Sequence, residues 1–344
     1  MAGPLFSAAE AWSTGWAPAL AAGLATIVAT RRVLAFLHHR QIMDLPNERS
    51  SHKLPTPRGG GLATTPILAG IILALGWFHA SAGLGMLGLG ALVLLAISWA
   101  DDRKGLPPLP RFLTHACMIA AFLTLVPGKL LVFGGAVPPW ADRVIAGVAW
   151  LWFVNLYNFM DGIDGITGIE TTTVGLGIAL VATLAPGLAV LDAIPGGLAV
   201  AAIGAGFLIF NWHPAKLFLG DSGSIPLGYV LGGLLLLLAM QGQLAAALIL
   251  PAYYLADATI TLFRRALNRE KIWQAHRKHF YQRAVQGGRR HDQVALVILA
   301  GNVALIGAAM GAASGYVWQG AGAALVITAA MLTLLQSWSR GTLK

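Results

Sequence analysis

Asn158-Phe159-Met160-Asp161-Gly162-Ile163-Asp164-Gly165-Ile166-Thr167-Gly168 stands between two apolar runs, Val144 to Val154 and Thr171 to Leu184. The runs read as membrane segments, and the stretch between them as the polar mouth where they meet. Asp161 and Asp164 are three positions apart. On a helix that spacing puts two side chains on one face, with Cβ atoms roughly 5–6 Å apart. Two carboxylates so placed suit a shared divalent cation, or a cation and a substrate. Gly162, Gly165 and Gly168 let a backbone or a ligand come close. A plain turn between helices needs neither two acids nor Asn158.

The rest of the chain repeats the apolar theme. It has 344 residues, 57% hydrophobic and only 11% charged. Runs of about 20 apolar residues recur, each able to cross a hydrocarbon core of roughly 30 Å at 1.5 Å per residue. They are apolar all round, where a soluble helix would keep a polar face. Barrel strands would alternate with period two instead. The sequence therefore predicts an all-α polytopic membrane protein, a single domain over residues 1–344, with about eleven spans. They are 15–37, 62–80, 84–99, 112–126, 141–157, 171–187, 193–210, 226–240, 243–262, 293–315 and 317–336. Residues 1–13 carry no Lys or Arg, so the first run reads as a retained span. The lone Cys117 lies in an apolar run and reads as a small hydrophobe.

Charge placement sets the expected orientation. The longer polar loops are 38–61, 100–111, 158–170, 211–225 and 263–292. With the C-terminal tail and adjoining span ends, they hold 21 of the 23 Lys and Arg; the other side holds Lys129 and Arg143. Positive charge stays in the cytoplasm, so these loops and the C-terminus are expected there and the N-terminus outside. The net charge of +9 is then a topology signal, with anionic lipids and substrates rather than nucleic acid as its partners. Asp44, Glu48, Asp101, Asp102, Asp161, Asp164, Glu170, Asp221, Asp257, Glu270 and Asp292 follow the same side, leaving Glu10, Asp142 and Asp192 elsewhere. Orientation rules do not require this of acids, so it points to a site. No internal repeat is visible, and acids gathered at one face disfavour a cation-coupled transporter.

Four further stretches carry chemistry. Lys53, Arg58 and the glycines Gly59-Gly60-Gly61 precede a span and read as an anion site. Asp101-Asp102 ends the third span, where negative charge needs a compensating partner. Asp221 sits among small residues just before another span, as a helix cap or a metal ligand, with Phe218 as a stacking face for a base. His276, Arg277 and His279 lie in the most basic loop and suit phosphate better than metal. Asp257 within a span is a functional candidate by default; His115 and His213 read as structural or interfacial groups. Acids and basic loops at one membrane face fit Mg²⁺-assisted phosphoryl transfer, with a lipid as one substrate.

Together, Asn158-x-x-Asp161-Gly162-x-Asp164-Gly165, Asp101-Asp102, Gly220-Asp221-Ser222-Gly223-Ser224 and the His276/His279 loop resemble the polyprenyl-phosphate N-acetylhexosamine-1-phosphate transferases (glycosyltransferase family 4). The likeness runs in order from Asp44 to Arg283. It implies transfer of a sugar-1-phosphate from a UDP-N-acetylhexosamine to undecaprenyl phosphate, with release of UMP, at the cytoplasmic face of the bacterial inner membrane. It implies Mg²⁺, with Mn²⁺ as a substitute, held mainly by Asp221 with Asp161. Asp101 becomes the base or orienter beside Asp102, while Asn158, Asp161 and Asp164 line the metal and diphosphate site. Asn155 and Phe218 face the uracil, Lys53 meets phosphate, and His276, Arg277 and His279 lie near sugar and phosphates. Where the muramyl-pentapeptide branch has three consecutive histidines, this chain has His276-Arg277-Lys278-His279. That favours the branch initiating O-antigen and related envelope polysaccharides, with an N-acetylhexosamine or its 6-deoxy relative as donor. Homodimerisation is left open. A CDP-alcohol phosphotransferase would continue differently after the first Asp-Gly, where Ile166-Thr167-Gly168-Ile169-Glu170 stands.

Overall fold

A computed structural model of the chain describes residues 8–46, 51, 54–185, 193–271, 274 and 276–341. Lys53 lies outside the described residues. The protein is an all-α polytopic membrane protein. Its helices are α1 (Ala8–His39), α2 (Gly61–Phe78), α3 (Ala82–Lys104), α4 (Pro108–Leu125), α5 (Pro139–Phe159), α6 (Ile166–Ala182) and α7 (Ala193–Asn211). There follow α8 (Asp221–Leu238), α9 (Leu244–Ile249), α10 (Ala252–Leu267), α11 (Phe280–Gln286), α12 (His291–Ala313) and α13 (Val317–Trp338). A two-residue hairpin pairs Met43–Asp44 with Thr56–Pro57.

Eight helical stretches among the described residues are long and apolar enough to cross a membrane. The other three predicted spans differ for physical reasons. Helix α5 carries Asp142, Arg143, Asn155 and Asn158, which lower its hydropathy. Helix α6 is apolar but only 17 residues long. The predicted span 243–262 is broken between α9 and α10 at Pro251, which has no N–H and crowds the preceding turn.

Helix α8 is the axis of the bundle. It packs on α2, α3, α5, α6 and α7, and nearly every side chain after Asp221 is buried. Such enclosure suits a helix that is apolar all round. Helix α7 lies between α1 and α6, and α12 and α13 form an antiparallel pair beside α6. Within the apolar interior the wholly buried Glu170 of α6 accepts a 2.7 Å hydrogen bond from the Asn302 amide of α12. That amide also reaches the Thr173 hydroxyl. A polar link of this kind between membrane helices is worth about 1 kcal/mol.

The start of α8 is pinned by the start of α2. Gly59 and Gly60 both donate their N–H to the Phe218 carbonyl, and Gly61 donates to the Leu219 carbonyl. A Cβ on Gly61 would overlap the backbone of Ser222 and Gly223. The approach is therefore available only to glycine. Gly61→Ala is expected to lower stability by about 1–3 kcal/mol, as overpacking against backbone does. Gly70 of the same helix has nothing within 4 Å of a built Cβ, so Gly70→Ala should be neutral or slightly stabilising. Thermal unfolding of the two variants in detergent checks the contrast.

Candidate active site

The polar loops meet where α3 ends and where α4, α6 and α8 begin. There, acids from separate parts of the chain share two arginines. Arg58, just after the small hairpin, reaches Asp221 Oδ1 at 2.7 Å and Asp102 Oδ1 at 3.1 Å. Asp44 stands 3.9 Å from the same guanidinium. Arg111, on the first turn of α4, reaches Asp221 Oδ2 at 2.7 Å and pairs with Asp101. Both oxygens of Asp221 thus face a guanidinium. The Asp101 and Asp102 side chains are 9% and 4% exposed, so these are largely desolvated ion pairs, which hold only with good geometry.

Each acid has a defined seat. Asp221 is the first residue of α8, where the helix dipole favours negative charge. Asp102 accepts the Asp221 and Ser222 N–H groups at 3.4 and 3.1 Å, capping α8 from another helix. Asp101 Oδ1 accepts the Leu106 N–H at 2.6 Å. Its two oxygens are therefore both engaged. Asn158, on the last turn of α5, accepts from the Ser224 hydroxyl at 2.7 Å and so touches the first turn of α8. Asp161 follows in the α5–α6 turn. Its carboxyl is pushed up to about 6, chiefly by burial, with Asp221 and Asp102 adding to the rise and a Thr167 hydrogen bond and Arg58 opposing it.

Formal charge shows what this cluster can hold. Asp101, Asp102, Asp161 and Asp221 supply four negative charges when ionised, against two positive charges from Arg58 and Arg111. The donors are all carboxylate oxygens, the preference of a hard divalent cation. The guanidinium groups already stand where positive charge is wanted. Carboxylate oxygens are the donor type that Mg²⁺ and Mn²⁺ take, while both oxygens of Asp221 and of Asp101 are engaged by Arg58, Arg111 and the Leu106 N–H.

Asp164 faces a different group. Its Oδ2 lies 2.6 Å from His213 Nδ1 and 3.2 Å from His291 Nδ1, and it accepts the Ala215 N–H at 3.2 Å. Burial alone would raise Asp164; hydrogen bonds from His291 and His213 and the charge of His291 outweigh it and hold the carboxyl below its usual range. The ligand atoms of these three residues lie within 4.8 Å of one another. Mixed nitrogen and oxygen donors suit a transition ion better than Mg²⁺. Gly165 next to it takes a positive φ of 80° and donates its N–H to Asn211 Oδ1 at 2.9 Å, which fixes the turn against the end of α7.

Several sequence expectations are changed here. The Gly59–Gly61 segment is not an open anion cradle: its N–H groups are spent on Phe218 and Leu219. His213, expected as a structural or interfacial group, is a partner of Asp164. Asp161 and Asp164 do not share one environment, because the turn splits them between two clusters. Asn155 donates its amide to the Leu151 carbonyl of its own helix. Phe218 is half-buried, and its backbone bridges to Arg58. His276 stacks on His279 with ring centroids 4.8 Å apart, and the Arg277 carbonyl accepts from Gln286. Arg111 and His291 join the two clusters without belonging to any of the sequence motifs above. The signal for Arg111 is the Gly105-Leu106-Pro107-Pro108 breaker, which forces a short turn and sets the start of α4 beside the end of α3.

The chain is similar in sequence to known proteins. Residues 84–239 match the family described as glycosyl transferase family 4. The chain is 28% identical over 265 residues to a Bacillus subtilis protein named "Probable undecaprenyl-phosphate N-acetylglucosaminyl 1-phosphate transferase", covering 74% of this chain and 73% of the relative. It is 27% identical over 325 residues to a decaprenyl-phosphate N-acetylglucosaminephosphotransferase of Mycobacterium tuberculosis, covering 81% and 78%. A phospho-N-acetylmuramoyl-pentapeptide-transferase of Thermosynechococcus vestitus is 30% identical over 261 residues, covering 67% and 64%. Asp101, Asp102, Asn158, Asp161 and Asp221 all fall inside the matched segment, and that segment is a glycosyl transferase family 4 domain.

Proposed function

We propose that this protein transfers a sugar-1-phosphate of the N-acetylhexosamine type from a UDP-sugar to undecaprenyl phosphate. An oxygen of the lipid phosphate attacks the β-phosphorus of the donor. The bond from that phosphorus to the oxygen bridging the two phosphates breaks, and UMP leaves. The polyprenyl-diphosphate sugar stays in the membrane. The cluster faces the cytoplasm at the bacterial inner membrane, and the product begins an O-antigen or related envelope polysaccharide.

The observation that carries this reading is the convergence of Asp101, Asp102 and Asp221 with Arg58 and Arg111 at the first turn of an enclosed membrane helix. Phosphoryl transfer asks mainly for positioning and neutralisation of charge. A site at a helix end in an apolar bundle offers both beside a lipid. Asp221 and Asp161, with Asp102, would hold Mg²⁺, which neutralises diphosphate oxygens when bound. Arg58 and Arg111 orient the phosphates. Asp101 orients Arg111, and the largely ionised lipid phosphate needs no strong base. The named activities of the relatives support the same reaction class.

The test is UMP release by purified protein with undecaprenyl phosphate, Mg²⁺ and a panel of UDP-sugars. Release with a UDP-N-acetylhexosamine and none with UDP-N-acetylmuramoyl-pentapeptide is expected. Release from the muramyl donor alone would move the protein to the other branch, and no release with any donor would end the proposal. Asp221→Asn should cut turnover roughly 10²–10³-fold, the cost of losing one aimed electrostatic group, with unfolding temperature retained; full turnover at saturating Mg²⁺ contradicts the metal assignment. Asp101→Asn should lower kcat about 10²-fold through loss of positioning, while UDP-sugar affinity changes far less. An unchanged kcat with weakened binding reverses that role.

A further inference from the structure

Asp257 lies on α10, wholly buried, and takes no part in the carboxylate cluster described above. Five donors converge on it. Its Oδ1 accepts from the Thr261 hydroxyl at 3.2 Å, His279 Nδ1 at 3.1 Å and the Phe280 N–H at 3.0 Å. Its Oδ2 accepts from the Tyr253 hydroxyl at 3.0 Å and the Tyr281 N–H at 3.3 Å. Three of the five come from the segment His279–Tyr281, so this one carboxylate ties the most basic loop to the bundle.

A structural anchor would account for the backbone N–H groups. It does not account for the imidazole. His279 is 1% exposed, and its Nε2 has no hydrogen-bond partner among the described residues. With Nδ1–H given to Asp257, the tautomer is set and Nε2 is left as the reactive atom. The ring is fixed between two others, His276 at 4.8 Å and Tyr281 at 5.6 Å between centroids. Tyr281 in turn donates its hydroxyl to the Phe159 carbonyl at 3.4 Å. It also packs so closely on Gly162 that a Cβ there would meet its hydroxyl. The histidine is thus two residues along the chain from Tyr281, which is locked onto the turn that carries Asp161.

We infer that Asp257 is a positioning residue that acts through His279, fixing the imidazole so that Nε2 is presented to the bound UDP-sugar, where it donates to an anionic phosphate oxygen in the doubly protonated form of the ring. The inference rests on the transfer reaction proposed above. Carboxylates that orient a histidine in this way typically contribute 10–100-fold.

A double-mutant cycle with a spectroscopic arm tests it. Asp257→Asn and His279→Gln should each lower kcat about 10- to 100-fold, and the double variant should be no worse than the poorer single variant. Thr261→Val removes a hydrogen bond to Asp257 that does not involve His279, and should leave kcat within about two-fold. Losses that multiply in the double variant, or an equal loss from Thr261→Val, overturn the inference and leave Asp257 as a structural anchor. Independently of turnover, ¹⁵N-histidine spectra of the intact protein report the tautomer, with His279 assigned by its loss in His279→Gln. In the wild type, Nδ1 should carry its proton at every pH at which the fold persists. An unprotonated Nδ1 overturns the pairing even where Asp257→Asn fails to fold. If the wild type transfers no sugar phosphate, the reaction class fails, while the spectra still decide whether Asp257 governs His279.

Discussion

The structure turns on the sharing of Arg58 and Arg111 among Asp101, Asp102 and Asp221. Carboxylates gathered at helix ends in an apolar bundle repel one another, and water is too scarce there to screen them. An unpaired ion in such surroundings is costly. The two guanidinium groups make the gathering tolerable, and each bridges acids from different helices. The same pairing draws α3, α4 and α8 to one point. Arginine suits the task because its planar fork can serve two carboxylates at once.

Everything near the cleft follows from how closely these helix ends approach. The backbone of Gly59–Gly61 lies against Phe218 and Leu219, so Arg58 stands over the first turn of α8. Asp102 caps that same turn. The first turn of α8 therefore carries a dipole end, a cross-helix cap and two guanidinium partners. Its remaining length is apolar and enclosed by neighbours on several sides. A rigid apolar rod with a charged tip fixes the tip, and precise placement is what phosphoryl transfer asks of a protein.

The polar groups then divide into three stations. Asp221, Asp101, Asp102 and Asp161 form the hard-oxygen cluster. Asp164 with His213 and His291 forms a second station on the other side of the α5–α6 turn. Asp257 with His279 forms the third and tethers the basic loop. The turn at Gly162–Gly165 joins all three, since Asp161 and Asp164 point to different clusters and Gly162 lies against Tyr281.

The sequence by itself determined the fold class, because membrane spans are local: about 20 apolar residues declare a helix wherever they occur. It also determined which loops hold the acids, and the pairing of Asn158, Asp161, Asp164 and Asp221 into one region through their resemblance to a known set. The breaks at Pro251 and at Pro107-Pro108 were written in residues that cannot continue a helix. Only the tertiary structure decided which acid meets which base. Arg58 and Arg111 differ from the other loop cations by their neighbours alone, and those neighbours are far away in the chain. Likewise His213 and His291 look like ordinary interfacial histidines until the fold sets both against Asp164, and Asp257 looks like a stray buried acid until His279 folds back onto it. Charge pairing acts through space over a few ångströms, so a linear reading that sees spacing along the chain has no means of ranking it.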